Sequence, residues 1–526
     1  MKIFLIALLI FIIKFSEVYA QFTPQSYEPD VKKLSKVSAG NPAGNGVTDI
    51  LTIGDTVWLG TSRGVSKSTD RGVSFTNYYA AEPFGYENVS ALAYDAGVIW
   101  ASTAHSVDKD GQILSEGSGL KYSADNGQSW VSVAQPIDGP TDTVVMYGNN
   151  KIRALPVTVA VSNVTYDIAL TKGTVWIASF AGGLRKSADM GKTWQRVVLP
   201  PDNLNSIKPS DTLSFSLQPV AGTFGSSNNL NHRVFSVVAA DDSTLYVGTA
   251  NGINKSTDGG ISWRKVNHQN QDKPISGNFV VALGFNKSNN TVWGATWKAE
   301  DQEEFYGVSY STDGAETWMT ALNEEKAHNF GFKENETLAL TDNGAFRSAN
   351  MGVTWINPAG ITDSKTGISL PRGPFYSASA QGNDVWLGTD KGAAKITETN
   401  GMWSGDWKVY IASQPLESAG KAFAYPNPFS PDVESVNIKY STGASGANVT
   451  IRIFDFGMNL VRTVIQNAQR GNPVHTVEGN NTNQNGVIDF WNGRDENGKI
   501  VPNGVYFYRI DAGSNAPVFG KIIVLI

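Results

Sequence analysis

Short apolar runs recur along most of the chain, and turns rich in Gly, Asp and Asn separate them. One run, Val57-Trp-Leu-Gly-Thr61, follows an apolar run at residues 47–53 across a tight Gly-Asp turn. Equivalent second runs begin at Val98, Val175, Leu245, Val292, Leu338 and Val385. Apolar and β-branched runs of this length, bounded by turn residues, are typical of β-strands. Their recurrence every few tens of residues predicts a repeated supersecondary unit.

An eight-residue motif of the form S-x-D-x-G-x-[ST]-[WF], here called the box, closes six of these units. It begins at Ser68, Ser123, Ser187, Ser256, Ser311 and Ser348. Asp and Ser side chains can accept hydrogen bonds from turn N–H groups, Gly permits a positive φ, and Trp packs between strands. We therefore interpret the following box residues as structural: Asp70, Asp125, Asp189, Asp258, Asp313 and Asn350, with Trp130, Trp194, Trp263, Trp318 and Trp355.

Two boxes depart from this pattern, and the box as a whole resembles a known repeat. Asn350 replaces Asp and should still form the turn, whereas Ala315 replaces Gly and should disturb it. The pattern resembles the Asp-box, or BNR repeat, of sialidase-like and photosystem-assembly-factor β-propellers. The resemblance implies an all-β fold. Six units end in a box, and a seventh unit lacks one. We expect a seven-bladed propeller over residues 21–410.

The amino terminus has the layout of a secretory signal peptide. Lys2 precedes an unbroken apolar run at residues 3–13, and Val18-Tyr-Ala20 offers a cleavage site before Gln21. An uncleaved anchor is the alternative, although the run is short for a membrane span. No later run is long enough to span a bilayer, so we expect no transmembrane anchor after cleavage. The predicted location is therefore secreted or at the outer cell surface.

Charge and residue content exclude several classes of function. The net charge of −6 and pI of about 5.5 argue against nucleic-acid binding. The absence of cysteine excludes disulfides, thiolate metal sites and a cysteine nucleophile. The five histidines form no metal-binding motif, and no phosphate-binding loop or serine nucleophile motif is present. We expect neither a metal nor a cofactor.

The long connections between predicted strands should gather on the rim opposite the boxes. They span residues 103–118, 131–163, 199–233 and 297–306, and insertions on one face of a repeat fold often mark its binding face. Aromatic side chains beside carboxylates suit a glycan or protein ligand. The alternative is that acidic loops only solvate the rim. The candidate ligand-binding residues are His105, Asp108, Glu116, Trp297, Glu300 and Tyr306.

No complete catalytic constellation can be assembled from these residues. Resemblance to sialidases implies an arginine triad introduced by an Arg-Ile-Pro motif, which the first unit lacks. Resemblance to xyloglucanases implies two opposed carboxylates between tandem propellers, whereas this chain is long enough for one ring. The single ring of this chain resembles photosystem-assembly propellers, and that resemblance implies a propeller that binds a partner without catalysis. We therefore expect a non-catalytic binding or scaffold propeller; the alternative is a secreted glycoside hydrolase, xyloglucanase-like or sialidase-like.

A separate module follows the repeats, after a linker at residues 411–424. Residues 425–526 contain short strands joined by Gly, Asn and Pro turns, which predicts a β-sandwich. Tyr425-Pro-Asn-Pro-Phe-Ser-Pro431 and Pro502-Asn-Gly-Val-Tyr-Phe-Tyr508 resemble a FlgD-type Ig-like domain. That module is similar to the sorting domain of type IX secretion, which implies the secretion machinery as a partner. The alternative is an Ig-like spacer without a sorting role.

Overall fold

The computed structural model describes residues 40–218, 229–299, 303–365, 368–412, 422–432, 434–442, 446–470 and 489–526. The predicted signal peptide and most of the predicted linker lie outside these residues. The chain divides into two compact units, Met1–Ser413 and Gln414–Ile526. Within the described ranges the regular elements are strands and two 3-10 turns, Leu230–His232 and His268–Asn270. The same ranges contain no helix with the length and apolar character of a membrane span.

The first half of the first unit contains three sheets of consecutive antiparallel strands and two strands of a smaller sheet. The first sheet comprises β1 (Val47–Ile53), β2 (Thr56–Thr61), β3 (Gly64–Ser68) and β4 (Thr76–Tyr78). The second comprises β5 (Asn88–Asp95), β6 (Val98–Lys109), β7 (Gln112–Ser123) and β8 (Val131–Val133). Strands β9 (Val144–Tyr147) and β10 (Asn150–Ala154) follow. The third sheet comprises β11 (Thr165–Thr171), β12 (Thr174–Ser179), β13 (Gly183–Ser187) and β14 (Gln195–Arg196).

The second half continues the same arrangement. After β15 (Ser206–Ile207) and β16 (Ser216–Leu217) come β17 (Val234–Ala239), β18 (Leu245–Thr249), β19 (Gly252–Ser256) and β20 (Trp263–Val266). The next sheet comprises β21 (Phe279–Asn286), β22 (Thr291–Trp297), β23 (Gly307–Ser311) and β24 (Met319–Ala321). Strands β25 (Ala327–Lys333), β26 (Glu336–Thr341) and β27 (Gly344–Ser348) form a three-stranded sheet. The last comprises β28 (Phe375–Gln381), β29 (Asp384–Thr389), β30 (Ala393–Glu398) and β31 (Gly405–Tyr410).

The first strands of these sheets surround a common axis. Each contacts the first strand of the next sheet, in the order β1, β5, β11, β17, β21, β25 and β28, and β28 contacts β1. The Ser377 hydroxyl on β28 donates a hydrogen bond to the Val47 carbonyl on β1 at 2.9 Å, which joins the last sheet to the first. Antiparallel sheets arranged radially around an axis form a β-propeller. The predicted all-β propeller fold is confirmed.

The box folds as a tight turn held by its own side chains. The Ser68 hydroxyl donates to Asp70 at 2.7 Å and accepts a hydrogen bond from the Gly72 N–H, also at 2.7 Å. Asp70 accepts hydrogen bonds from the N–H and hydroxyl of Ser74, at 2.9 and 2.5 Å. The same four bonds recur at Asp125, Asp189, Asp258 and Asp313. These aspartates therefore fix turn geometry.

The two variant boxes keep this turn. The Ala315 N–H donates to the Ser311 hydroxyl at 2.8 Å, although the φ of Ala315 is +71°, in the left-handed region that favours glycine. The expectation that Ala315 would disturb the turn is wrong. At Asn350 the side-chain oxygen accepts a hydrogen bond from the Thr354 N–H, and its amide donates to the Thr354 hydroxyl, both at 2.9 Å.

The aromatic residue that ends each box packs against the preceding sheet. Trp130 meets Trp58 edge-on, with ring centroids 5.9 Å apart, and Trp355 meets Trp293 in the same way at 6.0 Å. Phe75 of the first sheet lies against Tyr410 of the last sheet at 5.5 Å. Trp194, Trp263 and Trp318 enter the equivalent apolar clusters between their own sheets and the preceding ones. Aromatic burial therefore joins successive sheets around the ring.

The second unit contains two antiparallel sheets on one apolar core. One comprises β32 (Ala422–Tyr425), β33 (Val436–Tyr440) and β36 (Phe490–Trp491). The other has the strand order β35-β34-β37-β38, with β34 (Ala447–Phe454), β35 (Leu460–Arg470), β37 (Gly504–Ala512) and β38 (Val518–Val524). Alternate residues of these strands, such as Ile451 and Tyr508, are buried in the shared core. This alternation follows from the two-residue period of a strand.

Candidate functional site

A channel runs through the propeller along its axis. The first strands of the sheets enclose a cavity of about 860 Å³. Each of these strands begins on the rim opposite the boxes, because the box follows the third strand, which runs in the same direction as the first. We call the end of the channel at that rim its mouth.

A β-bulge near the start of each first strand turns a side chain toward the mouth. The register shifts by one residue in each first strand, and a bulge of this kind redirects a side chain. The residues at the shift all line the cavity: Thr48, Ser90, Tyr166, Phe235, Val281, His328 and Tyr376. Small polar residues of the first two sheets therefore face larger, mostly aromatic residues of the others.

Aromatic rings gather at this end of the channel. The group here called the aromatic mouth comprises Tyr166, Phe235, Phe279, Trp297, His328 and Tyr376. Phe235 lies 5.9 Å from Tyr166 and 4.6 Å from Phe279 between ring centroids. On the other side, His328 lies 5.5 Å from Trp297 and 5.0 Å from Tyr376. Rings from several sheets thus form a concave, partly apolar surface.

Trp297 and Tyr306, both predicted site residues, lie together on this rim. Their ring centroids are 6.1 Å apart. The Lys326 ammonium group lies 5.8 Å from the Trp297 ring and 4.7 Å from the Tyr306 ring, within cation–π range. The Trp297 indole N–H donates to the Ala327 carbonyl at 2.7 Å, which fixes the orientation of the indole. Trp297 lines the channel, whereas Tyr306 does not.

His105, Asp108 and Glu116 lie on one long β-hairpin. Residues 103–118 were expected to form a loop, but β6 and β7 stay paired as far as Lys109 and Gln112, so that expectation is wrong. The His105 Nδ1 atom lies 3.0 Å from a Glu87 carboxylate oxygen, and its Nε2 atom lies 3.3 Å from Glu116. Asp108 accepts a hydrogen bond from the Gly111 N–H at 2.8 Å and stabilises the hairpin turn.

The structure does not bring all of the predicted site residues together. Trp297 lines the channel, whereas His105, Asp108, Glu116 and Tyr306 do not. Glu300 lies outside the described residues. The neighbouring Glu304 is buried and accepts hydrogen bonds from the backbone N–H groups of Ala299 and Asn278, at 2.7 and 3.1 Å. This carboxylate therefore holds its loop in place.

Parts of two long connections pack against the cluster between the third and fourth propeller sheets, beside the box turn at Ile261. Residues 144–154 and 206–217 supply β9, β10 and β16, which form a small three-stranded sheet. Ile152 and Leu217 join the apolar cluster around Trp176 and Trp263, and the Tyr147 hydroxyl donates to the Ile261 carbonyl in a box turn at 2.8 Å. The prediction that residues 131–163 and 199–233 build the rim opposite the boxes is therefore wrong for residues 144–154 and 206–217, whereas Val161 pairs with Glu116 on the β6–β7 hairpin. Their apolar side chains are used in packing.

Two carboxylates line the channel beyond the mouth. Asp49 accepts hydrogen bonds from the N–H groups of Ile50 and Leu92, at 2.9 and 2.7 Å. Asp167 accepts hydrogen bonds from the Ser236 hydroxyl and the Val237 N–H, at 2.8 and 2.9 Å. Each carboxylate therefore joins its own strand by hydrogen bonds to the first strand of the following sheet. Burial raises the pKa of Asp49 to about 6 and that of Asp167 to about 7, although these hydrogen bonds act in the opposite direction.

Comparison with known proteins shows limited similarity. No family model matches the chain. Xyloglucanase Xgh74A of Acetivibrio thermocellus is 23% identical over 351 residues, which cover 65% of this chain and 35% of that protein. The chain thus spans about a third of the length of that relative.

Similar solved structures share little sequence identity with this chain. An ancestral GH74 enzyme shares 15% identity over 91% of this chain and 62% of its own, with a TM-score of 0.49. YCF48 from Cyanidioschyzon merolae shares 13% identity over 66% of this chain and 92% of its own, with a TM-score of 0.38. Within the described residues, no group of three or more His, Asp or Glu side chains is arranged to hold a metal ion.

Proposed function

We propose that this protein is an exported, non-catalytic β-propeller that binds a glycan or a protein at the aromatic mouth. One observation carries this proposal: the six side chains of the aromatic mouth, each with an aromatic ring, converge at one open end of the channel. Concave sites lined by aromatic residues, with a few polar groups, are typical of ligand binding. The side chains come from strands of a rigid ring, so little ordering is required when a ligand binds.

The proposal includes the finer architecture expected from the sequence. One sheet for each strand unit supports seven Asp-box propeller blades, with the β28–β31 sheet as the blade that lacks a box. Two antiparallel sheets on a common core support an Ig-like fold for the second unit. An experimental structure at side-chain resolution would test both points. A ring of six or eight blades would contradict the first.

Export and sorting form a separate part of the proposal, supported by the sequence of residues 1–20 and by the motifs of residues 425–526. Mass spectrometry of the mature protein should find Gln21 at its amino terminus. Deletion of residues 425–526 should retain the protein in the periplasm. Intact Met1 in cytoplasmic protein would contradict export, and unchanged surface delivery of the deletion variant would reduce the second unit to a spacer.

A glycoside hydrolase is the second candidate, because the sequence similarity to a xyloglucanase favours it. Hydrolysis would need two carboxylates at a set separation on either side of a glycosidic bond. Glu87 and Glu116, which flank His105, are the carboxylates to replace in a test of this candidate. Asp49 and Asp167 are weaker choices, since each already holds backbone N–H groups.

The test is a glycan array and a surface-protein array, run beside a polysaccharide hydrolysis screen. We expect binding without release of sugar, and loss of binding in Trp297→Ala and Tyr376→Ala. Tyr94→Ala is the matched control, because Tyr94 is a partly exposed tyrosine that lines the opposite end of the same channel. Release of sugar that is lost in Glu116→Gln but not in Asp125→Asn would replace the binding proposal with the hydrolase.

A further inference from the structure

Two aspartate side chains line the channel directly beyond its aromatic mouth. Asp167 follows Tyr166 on β11, so it lies about 3 Å further along the strand. Asp49 occupies the equivalent position on β1, and the two carboxylates interact electrostatically. Besides burial, the groups that shift their pKa values are backbone N–H groups, the Ser236 hydroxyl and, for Asp167, the Asp49 carboxylate. Both line the cavity, so a ligand in the channel can reach them.

The other charged groups of the channel do not compensate these carboxylates. Lys287 follows the end of β21, at the box end, where Asp95 also lines the cavity. His328 lies at the mouth, and its Nε2 atom is 2.7 Å from the Asp342 carboxylate. The middle of the channel is therefore acidic.

We propose that this site binds an ammonium group at the end of an apolar stem, as presented by a lysine side chain or the amino terminus of a protein ligand. The inference rests on the proposed function and names the ligand chemistry of the same site. The stem would pass between the rings of the aromatic mouth, whose faces attract a cation. The ammonium group would then lie near Asp49 and Asp167, where its charge is balanced.

A protein ligand fits the mouth better than a glycan does. Phe235, Phe279 and Val281 offer no hydrogen bonds to sugar hydroxyls. Two polar groups beside the rings are already paired, since the Trp297 indole N–H donates to a carbonyl and the His328 Nε2 atom contacts Asp342. A lysine side chain needs an apolar path for its four-carbon stem and acceptors for its three N–H donors. Both are present in that order along the channel.

The experiment uses the full chain and a pair of fluorescent probes. Nα-dansyl-lysine amide carries a free ammonium group, and Nα-dansyl-Nε-acetyl-lysine amide has the same stem without the charge. At pH 8, above the pKa values of both carboxylates, we expect the charged probe to bind about tenfold more tightly, because the channel partly shields the ion pair from water. Asp49→Asn and Asp167→Asn should abolish this preference, whereas Asp95→Asn should retain it.

A second measurement covers the case in which the channel variants do not fold, as judged by thermal unfolding. In the wild-type chain, hexylammonium should displace the charged probe, and hexanol at the same concentration should not. Equal affinity for the two probes, or no binding of either, would overturn the inference. Glycan binding lost in Tyr376→Ala without any preference for the charged probe would also overturn it, while the proposed binding function would stand.

Discussion

The closing contact of the ring can be tested at one glycine. Gly72 lies in the box of the first sheet with φ +84°, against the last sheet. A Cβ atom at this position would lie 2.4 Å from the Trp386 ring and 2.3 Å from the Tyr410 hydroxyl. Gly54 supplies a matched control, because it has φ +59° in a turn of the same sheet and a Cβ atom there would meet nothing within 4 Å.

The two substitutions to alanine differ in a single energetic contribution. A positive φ costs an alanine about 1–2 kcal/mol, and the lower entropy of the unfolded chain offsets about 0.4–1 kcal/mol of this. Gly54→Ala should therefore destabilise by about 0–1.5 kcal/mol. Gly72→Ala adds a clash in a closely packed interface, which typically costs about 1–3 kcal/mol. Its total should be about 1–4.5 kcal/mol.

Urea unfolding of the full chain, followed by tryptophan fluorescence, measures this difference. Thirteen of the 14 tryptophans, Trp386 among them, belong to the first unit, so the signal follows the unfolding of the propeller. We expect Gly72→Ala to lower the free energy of unfolding by at least about 1 kcal/mol more than Gly54→Ala does, as the packing argument requires. Equal destabilisation by the two variants would refute the packing of the first box on the last sheet.

The remaining predictions concern charged groups. Hydrogen bonds from Ser129 lower the pKa of Asp125 to about 2, so its contribution to stability is present above pH 4 and lost as the pH falls through about 2; Asp125→Asn should flatten that part of an acid-unfolding curve. Burial raises the pKa of Asp167 to about 7, so the free energy of unfolding should fall as the pH rises from about 4 to about 7 and this group ionises in the folded protein. Urea titrations of Asp167→Asn over the same pH range should show a smaller fall. Glu398→Gln breaks a buried pair with Arg347 at 2.6 Å and should cost about 3–5 kcal/mol in urea unfolding, whereas the exposed pair of Glu316 with Arg264 should cost under about 1 kcal/mol in Glu316→Gln.

The repeat and its turn could be predicted because the information is local. Eight consecutive residues supply the donors, acceptors and positive φ of each box, so the sequence alone indicates the turn. The second-strand runs likewise identify strands that the structure places between a first and a third strand. Asn350 was interpreted as a turn residue because its side-chain oxygen can replace that of Asp, and it accepts the expected hydrogen bond from Thr354.

The channel mouth could not be predicted, since it depends on register between strands and on the closure of the ring. His328 and Tyr376 read as ordinary strand residues, and only the bulge turns them into the channel. The sequence does carry a usable signal. His328 and Tyr376, like Tyr166 and Phe235, each occupy the second position of the first strand of a propeller sheet. The pairing of β10 with β16 was also hidden, because about sixty residues separate the two strands.

A structure of the protein with a ligand selected on the arrays would show whether the aromatic mouth is the binding site. We expect the ligand to lie at the aromatic mouth, in contact with Phe235, His328 and Tyr376. Binding of that ligand should disappear in Tyr376→Ala and persist in Tyr94→Ala. A ligand bound on the box rim, or on the β6–β7 hairpin away from the channel, would contradict the assignment of the binding site.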